Sequence, residues 1–346
     1  MRSVRVHGIR RPEVRVDEVP APAAPSGTQV LVRVTASSIN GTDRGLIAGP
    51  LGFRVLRGTT GSLGFDLAGE VVASGESVTS LATGDRVLAL LPHAGGAQSD
   101  FVLLDQTRAA RLPGVIDAVQ AAALPLAGLT ALQALHGTAG VHRRPGCRVL
   151  VVGAAGGIGS FGVQLAALAG ARVTAVARDE DADWVRGLGA AEVVDRHRRQ
   201  PLAAGTGWDV VLDTPGALAF ADVRPHLARD GVHVSTRPVN PDSARALVDA
   251  ARRRGGPRFA AVRTSARPGD LARLVALVES GWYPSRRRRR CTATSCRAVS
   301  AARPCSRSDR EGYRRRRLLS GSRWVTPRPS SHSMSGTATR RLVPHA

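Results

Sequence analysis

Arg148-Val149-Leu150-Val151-Val152-Gly153-Ala154-Ala155-Gly156-Gly157-Ile158-Gly159 is the stretch on which the fold of this chain turns. Its first five residues form an unbroken run rich in β-branched and aliphatic side chains, the pattern of a strand buried on both faces. A glycine-rich turn follows. Beyond it Phe161, Leu165 and Leu168 recur at helical spacing, so the segment reads strand, turn, helix. Downstream the same alternation repeats. Arg172–Val176 reads as a strand, Asp181–Leu188 as a helix, and Glu192–Val194, Asp209–Leu212 and Gly231–Val234 as further strands, with Gly157–Ala169 the helix after the turn. Short buried strands interleaved with helices imply a parallel sheet covered on both sides. Asp270–Ser280 has the period of one more helix, and no periodicity persists after Gly281.

The glycines in this context predict a Rossmann dinucleotide-binding turn. Gly156 lets the backbone approach a pyrophosphate, and Gly159 allows close helix–strand packing. The N–H groups of Gly157, Ile158 and their neighbours point at the phosphates. Ala154 stands where the usual fingerprint has its first glycine. At the end of the next strand comes Ala177-Arg178 rather than an acidic residue. A small residue beside a guanidinium suits the 2′-phosphate of NADPH, although Asp179 and Glu180 follow at once and oppose that charge. A solvated surface arginine is the plain alternative.

Upstream, residues 1–115 read as all-β. Val4/Val6, Val14/Val16, Val30–Val34, Val71–Val72, Val87–Leu90 and Phe101–Leu104 are separated by turns such as Ser74-Gly75 and Thr83-Gly84-Asp85. That spacing predicts a compact barrel or sandwich.

Five motifs in order make the chain resemble the medium-chain dehydrogenase/reductase superfamily, in its zinc-free quinone oxidoreductase and enoyl reductase branch. They are Ser38–Asp43, Gly64–Val71, Ala122–Ala131, the glycine turn and Val211–Gly216. The resemblance spans about residues 1–281. It implies a β-rich GroES-like domain over residues 1–118 and 258–283, a Rossmann domain over 119–257, and a separate tail over 284–346. In zinc-dependent relatives the positions resembling Asn40, Phe65 and Leu126 carry Cys, His and Cys. None of the three residues here is a zinc ligand, and catalytic zinc needs three such donors. The resemblance therefore implies NADPH-dependent, metal-free reduction of a quinone or an α,β-unsaturated carbonyl, whose oxygen takes up the incoming charge. Asn40 would line the acceptor side and offer its amide to that oxygen; the structural alternative is a turn residue before Gly41. Thr130 and Thr214 resemble positions near the nicotinamide. Many relatives form dimers through the edge of the parallel sheet, and this sequence neither requires nor excludes one. An alcohol dehydrogenase-like carbonyl reductase is the second enzymatic reading.

Composition bounds the rest. The chain has 346 residues, 43% of them hydrophobic, and four cysteines, so it has material for two cores and no disulfide framework. No signal peptide or membrane span is legible, and a reducing cytoplasm is the expected location. All 49 basic residues are arginine and the formal net charge is +22. Residues 282–346 hold 17 arginines against Asp309 and Glu311. Three readings of that tail stand side by side: binding to nucleic acid or another anionic surface, a disordered appendage, or the product of a reading-frame slip near codon 282. On the last reading the chain could bind nucleotide and yet be catalytically dead.

Overall fold

The computed structural model of the chain describes residues 1–8, 10–48, 60–92, 94–237 and 255–282. Fourteen strands and seven α-helices lie within these residues. The first domain holds β1 (Arg2–His7), β2 (Glu13–Glu18), β3 (Gln29–Ser37), β4 (Thr60–Ser62), β5 (Asp66–Ser74), β6 (Arg86–Leu90), β7 (Phe101–Asp105) and β8 (Ala109–Arg111). They form a three-stranded sheet, β2-β1-β4, and a five-stranded sheet, β7-β3-β5-β6-β8. Every pairing is antiparallel. On β3 the buried residues Val30, Val32 and Val34 alternate with more exposed neighbours. That is the period expected of a strand with one face on a core.

The second domain is a parallel sheet. Its strands are β9 (Arg148–Val152), β10 (Arg172–Ala177), β11 (Glu192–Asp195), β12 (Trp208–Asp213), β13 (Leu227–Ser235) and β14 (Arg258–Ala261), in the order β11-β10-β9-β12-β13-β14. Numbered within the domain, that is 3-2-1-4-5-6, the doubly wound Rossmann order, whose direction reverses between β9 and β12. Val149, Leu150 and Val151 have no exposed surface, and each such burial stabilises the fold by roughly 1.5–3 kcal/mol. The helices are α1 (Gly41–Ala48), α2 (Ala118–Ala122), α3 (Pro125–Leu132), α4 (Gly157–Leu168), α5 (Ala182–Gly187), α6 (Phe220–Val223) and α7 (Pro268–Glu279). None of them is long and apolar enough to cross a membrane.

Two expectations are corrected here. Residues 1–115 are not all-β, because α1 interrupts them. Its start is set locally: the Asn40 carbonyl accepts the Arg44 N–H, and Asp43 reaches back to the Asn40 N–H, half of a capping box. The run 258–283 does not return at its start to the β-rich domain. Arg258–Ala261 pairs in parallel with β13 as the last strand of the Rossmann sheet. After it, α7 packs against both α3 and β8, so it touches each domain. Residues 238–254 of the expected Rossmann domain and the tail 284–346 lie outside the described residues.

Candidate active site

The crevice where strand order reverses is bounded by the turn after β9 and the loop after β12. Gly153 carries the sharp bend, in the left-handed region at φ 76°. A Cβ there would meet Thr214 Oγ1 at 2.6 Å and Pro215 Cδ at 3.0 Å. Thr214 in turn donates its hydroxyl to the Val152 carbonyl at 2.8 Å, which pins the β12 loop to the β9 turn. Ala154 is buried, and its N–H donates to the Val176 carbonyl of β10 at 3.0 Å. Gly156 is the N-cap of α4 and makes no side-chain cap. The N–H groups of Gly157, Ile158 and Gly159 therefore donate to no acceptor among the described residues. Three free donors at a helix N-terminus fit an anion. A Cβ at Gly159 would lie 2.2 Å from the Gly153 carbonyl oxygen, so this glycine is what lets helix and turn touch.

A second constellation lies on the first domain. Asp66 opens β5 with no exposed surface. Its Oδ2 accepts from Ser38 Oγ and, at 2.8 Å, from Asn40 Nδ2. Its Oδ1 accepts from the Leu126 N–H at 2.7 Å. Leu126 follows Pro125 in the first turn of α3, so Asp66 satisfies an orphan donor of a helix that packs on α4. The Asn40, Phe65 and Leu126 positions thus meet around one carboxylate. Asp43 is equally buried and accepts from the Asn40 N–H at 2.7 Å and the Gly64 N–H at 2.8 Å. Burial pushes the Asp66 carboxyl up to about 6; the bonds from Ser38, Asn40 and Leu126 oppose that rise, and the Asp43 carboxylate adds to it.

The raised value sets a sign for stability. The folded chain holds this proton more tightly than the unfolded one, whose aspartate titrates near 3.8. The contribution is therefore complete below pH 4 and is lost as pH rises through about 6. Two pH units correspond to on the order of 3 kcal/mol. Asp66→Asn is expected to match the wild type in urea unfolding at pH 4 and to exceed it at pH 8. Equal pH dependence in the two proteins would refute this.

The two constellations are joined through packed helices: α3, whose Leu126 N–H bonds Asp66, packs on α4. Ala127, the neighbour of Leu126, stands 3.8 Å from where a Cβ on Gly157 would lie.

Three of the expected site residues have their polar groups engaged within the protein. Asn40 does not offer its NH2 outward: Nδ2 donates to Asp66 Oδ2 and to Ser38 Oγ at 2.9 Å, which uses both hydrogens. Thr130 is 4% exposed, and its hydroxyl is spent on the Leu126 carbonyl at 2.6 Å and on Thr264 Oγ1 at 2.7 Å. Arg178 directly follows β10, and its guanidinium pairs with Glu180 and lies 3.6 Å from Asp181. Ser38 and Thr264 were not anticipated. Ser38 had a signal, since it opens the same short motif as Asn40. Thr264 had none, because its partner lies 134 residues away.

Comparisons with known proteins bear on the family and the fold. Residues 26–145 match the family model of the alcohol dehydrogenase GroES-like domain, and residues 157–251 match that of the zinc-binding dehydrogenase. The chain is 34% identical over 235 residues to the chloroplast envelope quinone oxidoreductase homolog of Arabidopsis thaliana, covering 64% of this chain and 69% of that one. It is 32% identical over 207 residues to the mitochondrial NAD(P)H oxidoreductase RTN4IP1 of Bos taurus, covering 54% and 52%. Among solved structures it superposes on the quinone oxidoreductase from Coxiella burnetii with a TM-score of 0.72 at 26% identity, covering 82% and 88%.

Proposed function

This chain belongs to the medium-chain dehydrogenase/reductase superfamily, in its quinone oxidoreductase-like branch, and on that premise we propose that it transfers a hydride from NADPH to a quinone or an α,β-unsaturated carbonyl without zinc. The observation that carries the reading is that α3 packs on α4, whose first N–H groups are free, and bonds Asp66 beside Asn40, which supports one site shared by the two domains.

The residues present fit the cofactor. Gly157, Ile158 and Gly159 hold the pyrophosphate with backbone donors, and the absence of side chains at Gly156 and Gly157 leaves it room. Bound NADPH supplies the hydride from its nicotinamide C4. Thr214 and Ala154 act by holding the turn in shape, through Val152 and Val176. Thr130 acts on the nicotinamide side by fixing α3 to Thr264. Asn40 contacts the acceptor.

The residues do not fit the zinc that one matching family model names. Asn40, Phe65 and Leu126 offer an amide, a ring and an alkyl group, and the neighbouring carboxylate of Asp66 already accepts three hydrogen bonds. No group of three His, Cys, Asp or Glu side chains converges among the described residues. Without a Lewis acid the acceptor must delocalise its own charge, which favours quinones and enones over isolated ketones.

Titration of the full-length chain with NADPH and NADH, read by cofactor fluorescence, tests the first half. Tighter binding of NADPH supports the reading and preferential binding of NADH defeats it. Oxidation of NADPH by p-benzoquinone tests the second half. Glu180→Gln sharpens the test. Releasing Arg178 from Glu180, which leaves Asp181 at 3.6 Å, is expected to tighten NADPH by about three- to tenfold and to leave NADH unchanged. An equal change for both cofactors would remove Arg178 from the 2′-phosphate site.

A further inference from the structure

The orientation of Asn40 is set by what lies behind it. Both Nδ2 hydrogens have acceptors, Asp66 Oδ2 and Ser38 Oγ, while Ser38 Oγ donates to the same Asp66 oxygen. Asn40 Oδ1, by contrast, accepts no hydrogen bond among the described residues and is not an enclosed atom. An ionised Asp66 enforces this arrangement, because a carboxylate only accepts. Turning the amide over would place Asn40 Oδ1 against Asp66 Oδ2, two acceptors in a site with no exposure.

We propose that Asp66 is the positioning residue of this site: ionised, it holds Asn40 with its carboxamide oxygen toward the acceptor, and neutral, it lets the amide turn over so that the NH2 group faces the acceptor instead. This deepens the reductase reading above and rests on it. Hydrogen-bond geometry defines where the proton goes. Asp66 Oδ1 faces the Leu126 N–H, which cannot act as an acceptor, so the proton must sit on Oδ2. From there it donates to Ser38 Oγ or to Asn40 Oδ1, and the second arrangement frees Nδ2.

The orientation matters to the reaction. Hydride addition at carbon leaves negative charge on the acceptor's oxygen, which then takes a proton from water. An amide NH2 facing that oxygen stabilises the charge as it develops, whereas a carbonyl oxygen repels it. Burial brings the Asp66 carboxyl to about 6, so both forms are reached near neutrality. Among the groups acting on Asp66, Asp43 is the charged one; Ser38, Asn40 and the Leu126 N–H are neutral donors.

The test uses the full-length chain and two readouts. The first is the pH dependence of NADPH oxidation by p-benzoquinone at saturating cofactor, followed by stopped flow. The wild type is expected to slow by about tenfold per pH unit above the inflection near 6. Asp66→Asn keeps an acceptor for the Leu126 N–H and points an NH2 at Asn40 Oδ1. It is expected to be fast and flat from pH 5.5 to 8. Ser38→Ala, which removes one donor to the carboxylate, is expected to move the inflection upward and serves if Asp66→Asn folds poorly. The second readout is the Asn40 side-chain amide signal in 15N NMR, assigned by its loss in Asn40→Ala. It is expected to titrate with the same inflection in the wild type and not in Asp66→Asn. An Asn40 signal that does not move between pH 5 and 7.5 overturns the proposal. So does a wild-type pH profile retained by Asp66→Asn. If no quinone or enone is reduced at any pH while NADPH binds, the reductase reading fails, and the amide titration still decides the role of Asp66.

Discussion

Gly159→Ala is expected to unmake the cofactor turn rather than strengthen the helix it sits in. At an exposed helix position this change stabilises by about 1 kcal/mol. Here the new methyl would stand 2.2 Å from the Gly153 carbonyl oxygen and 2.8 Å from Ala154 Cα, both backbone atoms. The helix must therefore move off the turn. The expected cost is about 3 kcal/mol or more of stability, and at least about a hundredfold in NADPH affinity. Gly157→Ala is the control, since its methyl meets the Ala127 Cβ at an ordinary 3.8 Å. It is expected to leave the melting temperature nearly unchanged while weakening the cofactor, because the methyl adds bulk beside the free N–H groups of the first turn without a close clash. Thermal unfolding by circular dichroism and cofactor fluorescence measure both. Equal melting temperatures for the two variants would show that Gly159 is not a packing glycine.

Asp43→Ala is expected to be the most damaging single change in the first domain. The carboxylate is fully buried and satisfies two backbone N–H groups, one opening α1 at Asn40 and one at Gly64. Removing it strands both donors, at about 1–3 kcal/mol each, in addition to the cavity. A loss of about 3–5 kcal/mol in urea unfolding follows. Activity should fall further than stability at temperatures where the variant is still folded, because Asn40 loses the bond that fixes its backbone. A change under about 1 kcal/mol would mean that other contacts of this carboxylate, or water, replace the two bonds.

Much of the second domain was legible because its signals are local. The run Arg148–Val152 is a strand to the residue, and the helix after the glycines begins at Gly157 as read. An apolar run buried on both faces, a turn that only glycines can make and an amphipathic period each sit within a few residues. The first domain was legible as β-rich for the same reason, but α1 was not seen. Gly41 and Thr42 are poor helix formers, and Asp43 serves as a cap only once the chain has turned. Likewise Arg258–Ala261 is too short to announce its sheet; pairing with β13 places it there.

The sequence by itself determined the class of the protein: the glycine turn, the alternating strands and the order of motifs specify a two-domain oxidoreductase fold with a dinucleotide crevice. It also determined which side chains stand where zinc-dependent relatives have ligands, since that depends on residue identity alone. Tertiary structure decided what those side chains offer. Asn40 turns its NH2 inward because Asp66, 26 residues away, is buried and needs donors. Asp66 reaches α3 because Leu126, 60 residues further on, has an unpaired N–H in a helix's first turn. The physical reason is common to both. A hydrogen bond is settled by which groups burial leaves without water, and burial depends on contacts between parts of the chain far apart in sequence.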